Sequence, residues 1–387
     1  MKCTVKAVQT KRQMNDFLAL PRVIYRGNPC YVPDLESDVR DWFDPKHNPG
    51  LQHSDVAPFV AYSESGKPVG RIVGIINHKA NERWKGSCVR FGWIEFINDP
   101  DVSAALLKAV ENWGRSKGMD SMQGPLGISD FDKEGMLVED FDKMGSAITI
   151  YNPSYYPEHM EKHGFAKQVD WVQVKVEVPA EVPERFARVQ KLVGDLYGLK
   201  VKKLSYDEIF KGSYGRKIFR LLNEAYSQLF GYTPHTDEEA DAFVQHYIKM
   251  LDLRMLPMVE DAEGNLIACS ITMPNLSRAL QKSGGRMFPF GWFHLLKALK
   301  WGHEPEVELM LIAVHPEWQA LGINALLFAD LIPVFNEMGF RSAETGPMLE
   351  TNMKVLSQWK ALNPTTYKRR RCFCKEITPS PSGTNAK

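Results

Sequence analysis

The first half of the chain shows hydrophobic patterns typical of strands and then of helices. Apolar runs at residues 57–63 and 69–77 flank Ser65, Gly66 and Lys67, which predicts a β-hairpin. A third run at 88–97 predicts another strand, and residues 101–117 place apolar side chains at helical spacing. Weaker patterns predict a strand at 1–7, a helix at 14–25, a loop at 28–52 and a strand at 170–178.

The second half repeats this order of elements. Its patterns predict helices at 218–230, 237–251 and 352–362, a helix after Gly322 with apolar residues at Leu326, Leu327 and Leu331, and strands at 255–259, 266–273, 307–314, 341–345 and 367–374. Because the halves share this order, we expect two domains of α+β class, each a mixed, mostly antiparallel sheet flanked by helices. The predicted domains are 1–180 and 181–377, and the tail at 378–387, rich in Pro, Ser and Thr, is predicted to be disordered.

One segment, residues 281–303, looks like an insertion into the second half. It contains Gly284 and Gly285 and then a stretch rich in aromatic residues and Leu. Its helical spacing favours an amphipathic helix packed on the core. The alternative interpretation is a wall of an acceptor channel.

Composition excludes several classes of protein. The chain has 387 residues, which agrees with two domains, and its formal net charge is +1, so we expect neither nucleic acid nor a membrane as a partner. The six cysteines form no CxxC pair and have no His partners at metal spacing, so neither a disulfide framework nor a metal site is predicted. The start of the chain lacks the apolar core of a signal peptide, and no apolar run approaches the length of a membrane span, which predicts a cytoplasmic protein.

The stretch from Val314 to Leu327 has the layout of a phosphate-binding turn. An apolar strand ends at Val314, Pro316 and Gly322 follow, and a helical pattern begins. The first N–H groups of a helix have no partner within the helix, and the helix dipole adds partial positive charge there. A pyrophosphate could therefore be held mainly by the main chain.

These residues resemble motif A of the GNAT superfamily of acyl-CoA-dependent N-acyltransferases, V-x-P-x-x-[QR]-x-x-G-x-[GA] before a helix. Val314, Pro316, Gln319 and Gly322 match, whereas Asn324 stands where the family has Gly or Ala. The resemblance covers residues 217–377 and implies acetyl-CoA or another acyl-CoA as co-substrate. The residues that it places at the co-substrate are Ala313, Val314, Gln319, Ala320, Leu321, Gly322, Ile323, Asn324, Asn352 and Trp359.

Asn352 has two interpretations. In the family, an asparagine at this place meets the pantetheine arm. An asparagine at the start of a helix can equally serve only as its N-cap.

The first half resembles the same fold but lacks the motif. Residues 152–165 resemble the family's asparagine-then-helix block, yet residues 96–102 stand in place of the pyrophosphate turn. Asp99 and Asp101 can cap the following helix there but would repel phosphate. We therefore interpret the first half as a degenerate GNAT-like domain without cofactor binding. Tandem layouts with one active half occur in N-myristoyltransferases and peptidoglycan-bridge aminoacyltransferases, which the chain resembles in layout.

The resemblance also implies how acyl transfer would be catalysed. In the family a main-chain N–H of the motif strand meets the thioester carbonyl, which places Val314 in that role. Glu308 is the predicted base, since it lies where histone-type members carry a glutamate, and the alternative is an exposed charge at the start of the strand paired with a neighbour. Glu344 and Glu306 are weaker candidates. Strand alternation predicts one shared face for Glu308, Met310, Ile312 and Val314.

The residue that the family often uses as proton donor is replaced in this chain. The family often has a tyrosine seven residues after the asparagine, and this chain has Trp359, whose indole cannot protonate a thiolate. Tyr367 is the predicted substitute, unless the thiolate leaves unassisted.

Residues 368–371 form a basic run. On a strand, Lys368 and Arg370 would share one face, and Arg369 and Arg371 would share the other. That run is interpreted either as a solvated edge strand or as a contact for the nucleotide phosphate or an acidic acceptor.

The predicted function is transfer of an acyl group, most simply acetyl, from coenzyme A to a primary amine by direct attack. The acceptor would be a small molecule or a peptide. Two alternatives stay open. One is a non-catalytic GNAT-like protein that holds coenzyme A or another ligand, and the other is an aminoacyl or fatty-acyl transferase, suggested by the tandem layout. The sequence predicts no oligomeric state.

Overall fold

The computed structural model describes residues 1–211, 214–302 and 304–377, so the tail predicted to be disordered lies outside the described residues. The helices and strands in chain order are β1 (Cys3–Ala7), α1 (Lys11–Ile24), α2 (Glu36–Trp42), β2 (Ser54–Ser63), β3 (Pro68–Asn77), α3 (His78–Trp84), β4 (Cys88–Phe96), α4 (Pro100–Ser116), β5 (Ser121–Gly124), β6 (Met136–Glu139), α5 (Tyr155–Lys162), β7 (Ala166–Glu177), α6 (Glu184–Tyr197), β8 (Lys200–Lys202), α7 (Tyr206–Phe210), α8 (Tyr214–Ala225), α9 (Asp237–Tyr247), β9 (Met258–Glu260), β10 (Leu266–Pro274), α10 (Ser277–Ser283), α11 (Gly291–Lys300), β11 (Glu306–Val314), α12 (Asn324–Glu337), β12 (Ser342–Thr345), β13 (Met348–Leu349), α13 (Met353–Gln358) and β14 (Thr365–Glu376).

The chain forms two compact units. Unit 1 contains residues 1–46 and 50–171 and the described residues from Lys368 onward, and unit 2 contains residues 47–49 and 172–367. Strands β7 and β14 therefore each begin in one unit and end in the other. These units differ from the predicted domains, because 172–180 belong to unit 2 and 368–376 belong to unit 1.

Unit 1 is built on a mixed sheet with helices packed against it. Its strands lie in the order β1-β2-β3-β4-β5-β14, β6 also pairs with β14, and of these pairs only β4 and β5 run parallel. Helix α4 buries Val102, Leu106 and Val110 from one face. Gly74 on β3 lets this helix approach, since a Cβ there would lie 2.7 Å from the Trp113 ring.

Unit 2 has the same kind of sheet. Its strands lie in the order β7-β12-β11-β10-β9-β8, and of these pairs only β11 and β12 run parallel. Leu326 and Leu327 of α12 pack with Val193 of α6 and with Val259 and Ala268 of the sheet. The predicted fold class is confirmed, because each unit is a mixed, mostly antiparallel sheet flanked by helices.

The basic run is a buried part of unit 1. Lys368 and Arg370 are 1% and 0% exposed, and Arg370 donates hydrogen bonds to the carbonyl of Ile150 and to Thr149 Oγ1. Arg369 and Arg371, which alternate with them, bind the buried carboxylate of Asp170. The predicted alternation is confirmed. The interpretation as a solvated edge strand is wrong, because these cations are buried or paired inside the unit.

Among the described helices, none is both long and apolar enough to cross a bilayer. The same residues contain no group of three or more His, Cys, Asp or Glu side chains placed to hold a metal ion.

Candidate functional site

Strands β11 and β12 of unit 2 pair over only part of their length. Their parallel register runs from Glu306 beside Ser342 to Leu309 beside Thr345, and the N–H of Gly346 then donates to the carbonyl of Leu309. Strand β11 continues to Val314, whereas β12 ends at Thr345. The end of β11 therefore lacks β12 as a neighbour, and we call this opening the split.

The main chain of Val314 points into the split. In an antiparallel pair the residues alternate between those that bond across the ladder and those that point away from it. The N–H of His315 donates to Ile267, so Val314 and Ala268, which lie opposite one another, form a pair that points away from the β10 ladder. The N–H of Val314 is therefore directed into the split.

The turn after Val314 leaves a row of N–H groups open. The Gln319 side chain donates to the carbonyl of Val314 at 3.2 Å. The main-chain N–H groups of residues 320–324 make no hydrogen bond to any other described residue. Helix α12 begins there, and no side chain caps its start. An uncapped helix start with several open N–H groups is suited to an anion such as a pyrophosphate.

Two residues of this turn have the left-handed backbone conformation. Ala320 has φ of 67° and Gly322 has φ of 83°. A Cβ at Gly322 would lie 2.8 Å from Val189 Cγ1 of α6. Glycine is therefore required at 322 for its backbone conformation and for the close approach of α6.

Asn324, the residue that departs from the family pattern, is the first residue of α12. Its Nδ2 donates to Gln358 Oε1 of α13 at 2.5 Å. Its Oδ1 is buried and has no hydrogen-bond partner among the described residues. A buried acceptor without a donor costs free energy, so a donor supplied by a ligand would be favoured at this point.

The end of β4 in unit 1 corresponds to the end of β11 at the split. The N–H of Ile97 donates to Val69, and Phe96 lies opposite Gly70, so Phe96 occupies the same place on β4 as Val314 on β11. The N–H of Phe96 donates to Tyr156 Oη at 2.8 Å, and its carbonyl accepts from Tyr155 Oη at 2.6 Å. Tyr156 of α5 therefore satisfies the N–H whose counterpart at Val314 has no partner among the described residues, and Tyr155 satisfies the carbonyl, whose counterpart accepts from Gln319.

The start of α4 in unit 1 is also closed. Asp99 caps the helix by accepting from the N–H groups of Asp101 and Val102 at 3.0 and 3.4 Å. The amino group of Met1 forms ion pairs with Asp99 and Asp101. The predicted capping by Asp99 is confirmed, and a second anion would meet two carboxylates there.

Glu95, beside this closed strand end, makes the stability of unit 1 depend on pH. Burial raises the pKa of Glu95 to about 7 against the opposing charge of Arg71, and Tyr25 and Tyr156 donate to its carboxyl group. Between about pH 4.5 and 7 the folded chain keeps a proton that the unfolded chain releases, so the free energy of unfolding falls as pH rises through this window. The substitution Glu95→Gln should remove this fall, which we expect to be about 2 kcal/mol.

Urea unfolding of both proteins at pH 5 and pH 8 measures the effect. The exposed glutamate Glu64, changed to Gln, is the matched control and should keep the wild-type slope. A Glu95→Gln protein that loses as much stability as the wild type between these pH values would contradict the assignment.

Glu308, the predicted base, lies at the paired end of β11 and is 1% exposed. It is opposite Met273 on β10, whereas Val314 is opposite Ala268. Met273 and Ala268 are an odd number of residues apart, so their side chains, and those of their partners, lie on opposite faces. The expected shared face is wrong, because a β-bulge at Met310 shifts the register by one residue.

The two other candidate bases, Glu344 and Glu306, have hydrogen-bond or ion-pair partners within unit 2. Glu344 lies beside Glu308 in register, is 3% exposed, and accepts from Gln173 Nε2 at 3.0 Å. Glu306 forms an ion pair with Lys175 and accepts from Asn275 Nδ2. Glu306 is therefore held as a structural anion, and Glu344 stays the second candidate.

The predicted proton donor, Tyr367, lies away from the split. Its ring contacts Lys175 of β7, whose Nζ is 5.4 Å from the ring centroid, and β12 separates β7 from β11. Tyr226, just after α8, instead donates to the carbonyl of Ile312 at 3.0 Å, inside the split. Sequence reasoning missed Tyr226, because the helical pattern there shows no sign that its end meets β11.

Asn352 and Trp359 have structural roles in unit 2. Asn352 accepts from the N–H of Val355 and caps α13, so the capping interpretation is confirmed. Trp359 is 2% exposed, packs edge-on against Phe328 of α12, and has its Nε1 at 3.0 Å from Met348 Sδ. Their predicted contact with the co-substrate stays a prediction.

Comparison with known proteins extends over nearly the whole chain. No protein-family profile matches it. "Bacterial ceramide synthase" of Caulobacter vibrioides (strain NA1000 / CB15N) is 26% identical over 382 residues, covering 97% of each chain. Protein YghO of Escherichia coli (strain K12) is 26% identical over 381 residues, covering 96% of this chain and 95% of that protein.

Solved structures share the fold. A tandem GNAT protein from the clavulanic acid biosynthesis pathway covers 98% of this chain and 100% of its own, with a TM-score of 0.56 at 14% identity. A GCN5-related N-acetyltransferase from Sphaerobacter thermophilus covers 98% and 96%, with a TM-score of 0.52 at 14% identity. The chain therefore has a tandem GNAT-like fold, as the sequence predicted.

Proposed function

We propose that the chain is an N-acyltransferase that moves an acyl group from an acyl-CoA to the primary amine of a long-chain amino alcohol. The observation that carries the proposal is the contrast between the two strand ends, open at Val314 and closed by tyrosines at Phe96. The name of the Caulobacter relative supports the acceptor, since a ceramide is the amide of a fatty acid with such an amino alcohol.

The acyl-CoA would bind along the open strand end and the following turn. The N–H groups of residues 320–324 would bind the pyrophosphate, and Val314 would meet the thioester carbonyl. Asn324 Oδ1 could accept from a donor of the co-substrate. The first unit would then not bind a second acyl-CoA, because Asp99 and the two tyrosines of α5 satisfy the matching groups.

The chain's own residues can support each proton transfer. The amine nitrogen attacks the thioester carbonyl carbon, the C–N bond forms, and the C–S bond breaks with the electron pair left on sulfur. Glu308 would take the proton of the attacking amine, directly or through water. Tyr226, whose hydroxyl group lies in the split, is proposed in place of Tyr367 to protonate the thiolate of coenzyme A.

Thiol release by the full chain tests this function. We expect palmitoyl-CoA with sphinganine to release coenzyme A and to form a product heavier by one palmitoyl group. N-acetylsphinganine, which is a matched amphiphile with its amine blocked, should give no release. Acetyl-CoA in place of palmitoyl-CoA tests the shorter acyl group that the sequence suggested.

The binding and thiol-release assays together distinguish an enzyme from a non-catalytic binding protein. Binding of acyl-CoA without turnover on any amine would favour the non-catalytic interpretation. If calorimetry detected no acyl-CoA binding at all, the proposed function would be wrong.

A further inference from the structure

Unit 2 presents a group of large aromatic side chains to solvent. They lie on the insertion formed by α10, α11 and their connection, residues 276–302, which we call the aromatic hairpin. Its exposed aromatic residues and their exposed fractions are Phe288 (79%), Phe290 (70%), Trp292 (45%), Phe293 (44%) and Trp301 (66%). Single exposed apolar residues are common in proteins, whereas five exposed aromatic rings within 14 consecutive positions are unusual and call for an explanation.

The packing of the aromatic hairpin holds these rings outward. Helix α11 buries Gly291, Leu295 and Ala298, which recur on one side of the helix. A Cβ at Gly291 would lie 1.7 Å from the carbonyl of Arg286, so the connection presses closely on the helix start. Trp292 and Phe293 follow on the far side. The predicted amphipathic helix is thus present, but its aromatic face is turned away from the core.

The charge of the aromatic hairpin is one-sided. Residues 264–303 contain no Asp or Glu, whereas the hairpin carries Arg278, Lys282, Arg286, Lys297 and Lys300. Arg278 pairs with Glu304 just beyond the segment. Lys297 and Lys300 lie on the same exposed side of α11 as Phe293, so these two cations and this aromatic ring occupy one surface. The expectation of no membrane partner came from a net charge of +1, which averages over such a local surface.

The aromatic hairpin joins the sheet at the end of β11 that carries Glu308. The N–H of Asn275, just before the hairpin, donates to the carbonyl of Glu306, and its side chain donates to the carboxylate of the same residue. Glu308 follows two residues later. A molecule bound at the aromatic hairpin would therefore lie near the end of β11 that carries Glu308, the proposed base.

We propose that the aromatic hairpin docks onto the surface of a bilayer that contains anionic lipids. Trp and Phe side chains favour the boundary between acyl chains and headgroups, and Lys and Arg beside them attract anionic headgroups. Long basic side chains can also reach the headgroups while their methylene stems lie against apolar surface. The docking surface does not depend on the acyl transfer proposed above. If that transfer is correct, docking brings the enzyme to the layer in which long-chain amines reside.

Vesicle flotation with the full chain tests the docking surface without either substrate. We expect the wild type to float with phosphatidylcholine vesicles that contain phosphatidylglycerol, and to float less with pure phosphatidylcholine or at high salt. The double variant Lys297→Glu/Lys300→Glu should bind the anionic vesicles at least about tenfold more weakly, since each basic residue near such a surface is worth about fivefold. Lys11→Glu/Lys46→Glu, with the same charge change on exposed residues of unit 1, is the matched control and should weaken binding less.

Brominated acyl chains test whether the rings enter the bilayer. The brominated vesicles should quench part of the tryptophan fluorescence of the wild type, and Trp292→Phe/Trp301→Phe should lose that quenching while it keeps the wild-type melting temperature. Failure of the wild type to float with either vesicle would overturn the proposal. Equal binding by the hairpin and control charge variants would also overturn it, as would self-association that the hairpin variants abolish without any vesicle binding.

Discussion

The substitution Gly322→Glu should weaken acyl-CoA binding by at least about a hundredfold. Gly322 has φ of 83°, and a Cβ there would lie 2.8 Å from Val189 Cγ1. The turn would therefore have to shift away from α6, and a carboxylate would stand among the open N–H groups of residues 320–324. Loss of two hydrogen bonds to a charged phosphate costs about 3 kcal/mol or more, which gives the expected factor.

Gly339 is a matched control for this prediction. It follows the other end of α12, has the same φ of 83°, and has open space where a Cβ would be placed. Gly339→Glu therefore carries the same backbone strain and the same charge, but far along the helix from the turn. Calorimetry should show near-wild-type affinity for acyl-CoA in Gly339→Glu. Equal affinities in the two variants, with equal melting temperatures, would mean that the turn does not bind the pyrophosphate.

The local pattern of the motif predicted much of unit 2. The strand before Val314, the turn and helix α12 lie where the apolar spacing placed them, because strand, turn and amphipathic helix signals are all short-range. The shared face for Glu308 and Val314 was wrong for a reason that spacing cannot show. A bulge at Met310 adds one residue against β10, and that depends on how the two strands meet.

Long-range pairing limited the rest of the prediction. Strand β14 was recognised as a strand, yet its residues 368–376 belong to unit 1, where they pair with β5 and β6. Helix α6, which supplies Val189 to the turn, was not predicted from the sequence. Neither feature could be inferred from local spacing, because the partner strand or helix lies more than a hundred residues away.

The end of the motif-like strand is open in unit 2 and closed in unit 1. Both units turn one main-chain N–H and carbonyl away from the neighbouring antiparallel strand at the end of the motif-like strand. Unit 1 satisfies both groups with Tyr155 and Tyr156. The sheet itself therefore does not require an open N–H at Val314 of unit 2. This supports our proposal that this N–H binds a substrate.

The substitution Glu308→Gln should lower kcat by about 10²- to 10⁴-fold and leave the affinity for acyl-CoA unchanged. Removal of a general base has an effect of this size, and the amide of Gln keeps the volume of the buried side chain. Because an amide cannot take the proton of the attacking amine, the loss should appear in kcat rather than in substrate binding. Thiol release over a pH series, with calorimetry for acyl-CoA, separates the loss of chemistry from a loss of binding.

Glu344→Gln is the matched control for Glu308→Gln. Glu344 lies beside Glu308 in the parallel register and is similarly buried, so both substitutions remove one carboxylate from the same pair of strands. Gln173 Nε2 donates both to Glu344 and to the carbonyl of Thr345, and the amide oxygen of a Gln at 344 can accept in place of the carboxylate. We expect Glu344→Gln to keep kcat within about tenfold of the wild type, since it loses no base. If instead Glu344→Gln lost activity and Glu308→Gln kept it, Glu344 would be the base. Equal losses in both would show that the pair acts together.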